Sequence, residues 1–267
     1  MNTIIGQTKL VEKLKSYSFN KMPKTLLFIG DKGSGRHYIS KCFANYLMVD
    51  LVELTAQTTA EQLIELYQTT TQKICLLDLS TITEKQQNKY LKFIEEPAVN
   101  IRIILIAESE VGILPTILNR CIKYILEDYS IDQLKQFSWA IQLENPLIYE
   151  LCNTPGQLLE ASSIENLDAM QQACTNLILN LSKISYLDLV SYNLKINYSD
   201  EFKKFDFRLF LKLLTKTAYQ KYIENKSQLL FDIYRYLVNR NQQLFNKSEA
   251  KEAFMITTLD ELWRLAH

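Results

Sequence analysis

The chain has 267 residues, 47% of them hydrophobic, which is enough for one large domain or two to three small ones with real cores. Thirty Lys and Arg residues balance thirty Asp and Glu residues, which excludes a global electrostatic pull toward nucleic acid or an anionic membrane. The five cysteines (Cys42, Cys75, Cys121, Cys152, Cys174) form no C-x-x-C pair, so they argue against a disulfide framework and a zinc site and read as buried thiols of a reducing cytosol.

The opening MNTIIGQTKL lacks the charged-then-apolar pattern of a secretory signal. No apolar run approaches the roughly 18 residues that a membrane span needs. A cytoplasmic protein without membrane contact is expected. KTLLFIGDKGSGRHYISKCFANYL predicts strand, glycine-rich turn and helix, with Tyr38, Ile39, Cys42, Phe43 and Tyr46 on one side of the helix. VDLVEL predicts a second strand, followed by the helix TTAEQLIELYQ with capping-type threonines. KICLLDLS predicts a third strand, apolar until Asp78, as expected of a strand buried on both faces of a parallel sheet. TEKQQNKYLKFIEEP is a helix stopped by Pro97, and RIILIAES is a fourth strand. GILPTILNRC is a short helical turn leading into the strand-like IKYIL. Strands alternating with helices predict a doubly wound parallel α/β sheet.

From Ser130 the pattern turns all-α. SIDQLKQFSWAI opens on a Ser-x-x-Gln capping box. KSQLLFDIYRYLVNRNQQLF sets Leu229, Leu230, Ile233, Leu237 and Leu244 at helical spacing, and LDELWRLAH closes the sequence as an amphipathic turn or two. Five of the six glycines (Gly6, Gly30, Gly33, Gly35, Gly112) fall in the α/β part.

The glycine-rich turn carries the first candidate site. A phosphate-binding loop reads G-x-x-x-x-G-K-[ST]: its backbone N–H groups surround phosphate oxygens, the Lys reaches the outer phosphates and the hydroxyl ligates Mg²⁺. Gly30, Asp31, Lys32, Gly33, Ser34, Gly35, Arg36 and His37 occupy those eight places. Arg36 keeps the charge in a bulky planar fork, whereas His37 removes the hydroxyl, and imidazole is a poor Mg²⁺ ligand. An intact ATP site, a degenerate one and an unrelated turn are the three readings; the two replacements favour the degenerate site, weak or empty of nucleotide. Asp78 ends its strand where a carboxylate can approach a metal, but Leu79 stands where water-activating ATPases place a glutamate. Asp78 also reads as a turn residue following a strand.

PTILNRC (Pro115 to Cys121) resembles the Ser-Arg-Cys segment of AAA+ clamp-loader subunits, with Asn119 in place of Ser. IIGQTKLVEKL resembles the N-terminal box of that family, YLKFIEEP its leucine-lysine-x-x-glutamate-glutamate-proline helix end, and NTPGQLLE the turn of its lid. Their order over residues 3 to 160 is similar to that of the delta-prime branch in bacterial DNA polymerase III. The resemblance implies an AAA+ P-loop sheet domain over residues 1–128, a small helical lid over 129–163 and a C-terminal helical collar over 164–267. It implies no ATPase activity of the chain's own, no cofactor and no metal; the four-cysteine zinc module of many relatives is reduced to Cys42 and Cys75. Gln157 stands at the place of a sensor arginine, and Ala107, Glu108 and Ser109 lack a Thr or Asn sensor. The implied partners are the clamp-loader ATPase (gamma/tau) subunits and the delta subunit in a hetero-oligomeric ring, with the sliding clamp and primed DNA reached through the complex. Arg120 is then an arginine finger offered in trans to a neighbour's ATP; by itself it also reads as a helix-end arginine bonding the last carbonyls.

Two further readings compete: an active AAA+ ATPase with an unusual loop, whose Mg²⁺-dependent hydrolysis needs Asp78, and a DNA-binding module independent of any ring. FKKFDFRLFLK (Phe202 to Lys212) interleaves aromatics with bases as a single-strand platform does, yet Phe207, Phe210, Leu211 and Leu214 also fit one buried helical face. The two histidines, His37 and His267, are too few for a metal or triad.

Overall fold

The computed structural model describes residues 1, 4–137, 147–162, 167–189, 207–243 and 251–267. Five parallel strands, β1 (Thr25–Ile29), β2 (Asp50–Leu54), β3 (Lys73–Asp78), β4 (Ile101–Ala107) and β5 (Ile122–Ile125), form one sheet in the order β2-β3-β4-β1-β5. This is the parallel α/β arrangement expected from the alternating pattern. The unbroken apolar runs became the interior strands: β1 is buried throughout and β4 nearly so. The edge strands β2 and β5 keep polar and exposed positions.

Side-chain alternation along the strands makes two cores. On one face Leu27, Cys75, Leu77, Ile103 and Leu105 pack with Leu63, Tyr90, Phe93, Ile94 and Ile117. These last come from α3 (Ala60–Tyr67), from the helical stretch of α4 (Glu84–Gln87), a 3₁₀ turn (Asn88–Tyr90) and α5 (Leu91–Glu95), and from α6 (Pro115–Leu118). On the other face Leu26, Phe28, Ile74, Leu76, Ile104 and Ile106 pack with Leu10 and Leu14 of α1 (Thr8–Lys15) and with Ile39 and Phe43 of α2 (Arg36–Tyr46). Fully burying one such side chain stabilises the fold by about 1.5–3 kcal/mol, so the sheet is the rigid base for everything at its edges.

One face was misjudged in the sequence. Tyr38 and Tyr46 are exposed, and the buried side of α2 runs through Arg36, Ile39, Ser40, Phe43 and Ala44. The tyrosines' polar ends favour the solvent side, where Tyr46 Oη donates to Lys15 O. The buried Ser40 hydroxyl is satisfied by donating to Arg36 O at 2.8 Å.

The expected caps formed, Thr59 with Gln62 and Ser130 with Gln133, which starts α7 (Ile131–Leu134), and a further box pairs Thr83 with Gln86. The chain divides into two compact units, residues 1–144 with 153–158, and residues 145–152 with 159–267. Among the described residues the second is helical, with α8 (Leu147–Leu151), α10 (Leu167–Asn180), α11 (Phe207–Asn225), α12 (Gln228–Gln243) and α13 (Lys251–Ala266); α9 (Pro155–Ser162) straddles the division. Phe210, Leu211 and Leu214 are buried, as the core reading of that segment requires, while 202–206 and the side chain of Phe207 lie outside the described residues. Leu230, Ile233 and Leu237 form the buried stripe of α12; Leu229 is half-buried and Leu244 lies outside the described residues. No helix among the described residues is long and apolar enough to cross a membrane.

Candidate functional site

In a parallel sheet every loop that follows a strand emerges at the carboxyl edge, and every segment returning to start the next strand arrives at the amino edge. The loop after β1, Asp78 at the end of β3 and Glu108 just past β4 therefore share the carboxyl edge. Gly30, Gly33, Gly35, Arg36, His37 and Asp78 are brought together there. Arg120 is not with them. It lies one residue ahead of β5, whose Ile122 is in register with Leu26 near the start of β1, so it sits at the amino edge. At about 3.3 Å per residue, the strand between the two edges spans roughly 15 Å.

The loop keeps the backbone form of a phosphate cradle. Gly33 (φ 80°) and Gly35 (φ 92°) adopt the left-handed conformation that glycine tolerates, and Gly35 caps the start of α2. What surrounds it comes from the chain itself. Gly156 N donates to Gly33 O at 3.0 Å, and Thr154 Oγ1 donates to Lys32 O at 2.9 Å. A Cβ placed on Gly33 would lie 2.6 Å from Gly156 Cα, so the glycine pair permits backbone against backbone. Tyr129 Oη donates to Ser34 O at 3.1 Å, and its ring passes Gly6, where an added Cβ would lie 3.2 Å from Tyr129 Cε1. Burial raises the pKa of this phenol, which keeps it a protonated donor. Tyr129 reaches this place because Tyr129 N donates to Asn153 O at 2.9 Å, while the Gln7 amide pairs with the Glu127 backbone in both directions, at 2.5 and 2.9 Å.

The charged groups of this edge face one another. Arg36 is 8% exposed, with one guanidinium nitrogen 3.9 Å from Glu108 Oε1, and its other terminal nitrogen, like Ser34 Oγ, has no hydrogen-bond partner among the described residues. His37 Nε2 is 3.9 Å from Asp78 Oδ2. Asp78 Oδ1 accepts from Ser80 N at 2.9 Å and caps a 3₁₀ turn, the role of a turn residue. An imidazole beside the carboxylate offers Mg²⁺ a poor ligand, whereas Gly156, Thr154 and Tyr129 bond the carbonyls of the loop.

At the amino edge Arg120 lies just past α6 and donates to Thr116 O at 2.8 Å, the contact of a helix-end arginine. A second nitrogen of the same guanidinium lies 3.0 Å from Glu95 Oε1 at the end of α5. Neighbouring Cys121 bonds Ile117 O, and burial pushes its thiol up to about 12, so it stays protonated and structural.

Tyr129, Thr154, Gly156 and Glu95 were not singled out as site residues in the sequence. The usable signal was Gly156: in a chain with six glycines it stands alone in the helical part.

Residues 55–130 match the family model described as DNA polymerase III, delta subunit. No curated protein matches the chain in sequence. Among solved structures, the chain is similar to a DNA polymerase III gamma subunit-related protein of Thermotoga maritima, at 15% identity and a TM-score of 0.48, over 98% of this chain and 100% of that one. It is also similar to the Thermotoga maritima RuvB Holliday junction branch migration motor, at 13% identity and a TM-score of 0.48, over 82% of this chain and 76% of that one.

Proposed function

We propose that this chain, which carries a domain of the DNA polymerase III delta-subunit family over residues 55–130, works as a non-hydrolysing, delta-prime-like subunit of a clamp loader. In this reading Arg120 is offered in trans to the ATP of a neighbouring gamma/tau-type ATPase subunit. The sheet domain over 1–128, a lid over 129–163 and a collar over 164–267 take their places in a hetero-oligomeric ring with a delta subunit, and the sliding clamp and primed DNA are reached through that ring.

The observation that carries the reading is the separation of the two edges. Arg120 is half-exposed on the far side of the sheet from its own loop, so a phosphate that it serves belongs to another chain. A guanidinium aimed at a γ-phosphate stabilises the negative charge of the transition state, which is worth about 10³ to 10⁵ in rate. The loop supports the other half. Its glycines contact Gly156 and Tyr129, its hydroxyl is replaced by His37, and Leu79 leaves no base after Asp78.

The test is reconstitution with the ATPase subunits. The isolated chain is expected to show no ATP turnover, and the assembled complex to hydrolyse ATP in a manner dependent on Arg120. Turnover by the isolated chain that disappears with Asp78→Ala contradicts the reading, and so does an Arg120→Ala complex that assembles and turns over at the unaltered rate.

A further inference from the structure

We propose that Glu95 is a positioning residue that holds Arg120 ready for the neighbouring subunit's phosphate, an inference that rests on the trans-finger reading above.

The local sequence around Glu95 is unfavourable taken alone. α5 ends on Glu95, with Glu96 next and Pro97 forbidding continuation, so two carboxylates stand at the negative end of a short helical stretch where a base would be favoured. Such a conflict between residue and position marks a site whose purpose lies in a tertiary contact. The contact is Arg120. α5 and α6 lie on the same face of the sheet, with Phe93, Ile94 and Ile117 in one core, and both end at the amino edge. Thr25 Oγ1, at the start of β1, donates to Ile94 O and ties the end of α5 to that edge. The ends of the two helices are therefore fixed by buried side chains, and Glu95 Oε1 meets the guanidinium at 3.0 Å.

Two tethers hold the arginine: Thr116 O on one terminal nitrogen and Glu95 on the other. A guanidinium carries five N–H donors in one plane. One donor goes to Thr116 O and Glu95 holds the guanidinium as an ion pair, so donors remain for an incoming phosphate and Glu95 and the phosphate can be bound together. Arg120 is 41% exposed and Glu95 37%, so the pair lies at the surface of the chain. The long side chain loses rotamer freedom before the partner arrives, and this preorganisation is the gain. A solvated pair of this kind contributes little to folding. Its consequence is therefore read in turnover and not in stability.

The experiment measures ATP turnover of the assembled complex containing wild-type chain, Glu95→Gln, Glu95→Asp, Arg120→Ala, or Glu95→Gln with Arg120→Ala, together with the thermal midpoint of each purified chain. Glu95→Gln is expected to lower kcat roughly tenfold with KM for ATP and the thermal midpoint unchanged, less than the about 10²-fold that a 1 Å misplacement can cost. Glu95→Asp is expected to recover part of the rate, and the double variant to match Arg120→Ala alone. If Arg120→Ala slows turnover and Glu95→Gln does not, the positioning role is wrong and the finger reading survives. If the Glu95→Gln loss persists in the Arg120→Ala background, Glu95 acts through something else and the proposal falls. If Arg120→Ala changes nothing, the finger reading fails and the positioning role with it.

Discussion

The two edges of the sheet use the same residue types in opposite ways. At the carboxyl edge Arg36 is buried against Glu108, and His37 faces Asp78 across a loop closed by Thr154, Gly156 and Tyr129. At the amino edge Arg120 pairs with Glu95 but remains half-exposed, with donors to spare. A buried arginine with an internal counter-charge serves its own fold, and an exposed, tethered one is available to another molecule. In the proposed reading this contrast separates a loop that serves its own fold from an arginine offered to a neighbour.

The sharpest way to break this contrast is to remove one side chain from each edge in turn. In the assembled complex Arg120→Ala is expected to lower ATP turnover about 10³-fold, whereas His37→Ala at the other edge leaves it within about twofold, as measured by steady-state phosphate release. Equal losses at both edges would erase the distinction.

The closure of the loop is tested by stability. Gly33→Ala forces a Cβ against Gly156 and a left-handed φ on a residue with a side chain. The sum of strain and overpacking predicts a loss of about 2–4 kcal/mol, read from the urea midpoint with m unchanged. A neutral result would mean that the close approach of the two glycines is loose in solution.

Tyr129→Phe removes the donor to Ser34 O and leaves a buried carbonyl short of a partner, a loss of about 1–3 kcal/mol on the same assay. Thr154→Ala, which removes the bond to Lys32 O, is expected to cost about 1 kcal/mol. The smallest effect concerns Cys121. With its thiol raised to about 12 by burial, it is expected to resist iodoacetamide at pH 8 in the folded chain and to react once the chain is unfolded in urea. Rapid alkylation of the native protein would show that the amino edge opens far more than its packing suggests.

Much of this was legible in the residues themselves. The apolar runs TLLFI, KICLL and IILIA state their burial directly, because a strand covered on both faces has no polar alternative. The capping residues at Thr59 and Ser130 were readable because a hydroxyl and an amide three residues apart pair reciprocally at a helix start; the box of Thr83 with Gln86 went unread. The tyrosines of α2 misled because a phenol is apolar by area and polar at its tip, so periodicity alone could not say which way Tyr38 and Tyr46 turn.

The sequence by itself determined the order of strands and helices, the loop with Arg36 and His37 in the altered places, and the arginine after α6. Those are local matters, set by residue type and spacing. Only the tertiary structure decided that Gly33 meets Gly156, that Tyr129 lies on the loop, and that Glu95 reaches Arg120. Each pair is distant in the chain, and its members are joined by the order in which parallel strands are laid side by side. That order puts the end of every strand at one edge and the end of every returning helix at the other, and so fixes which charges meet inside the chain and which remain for a partner.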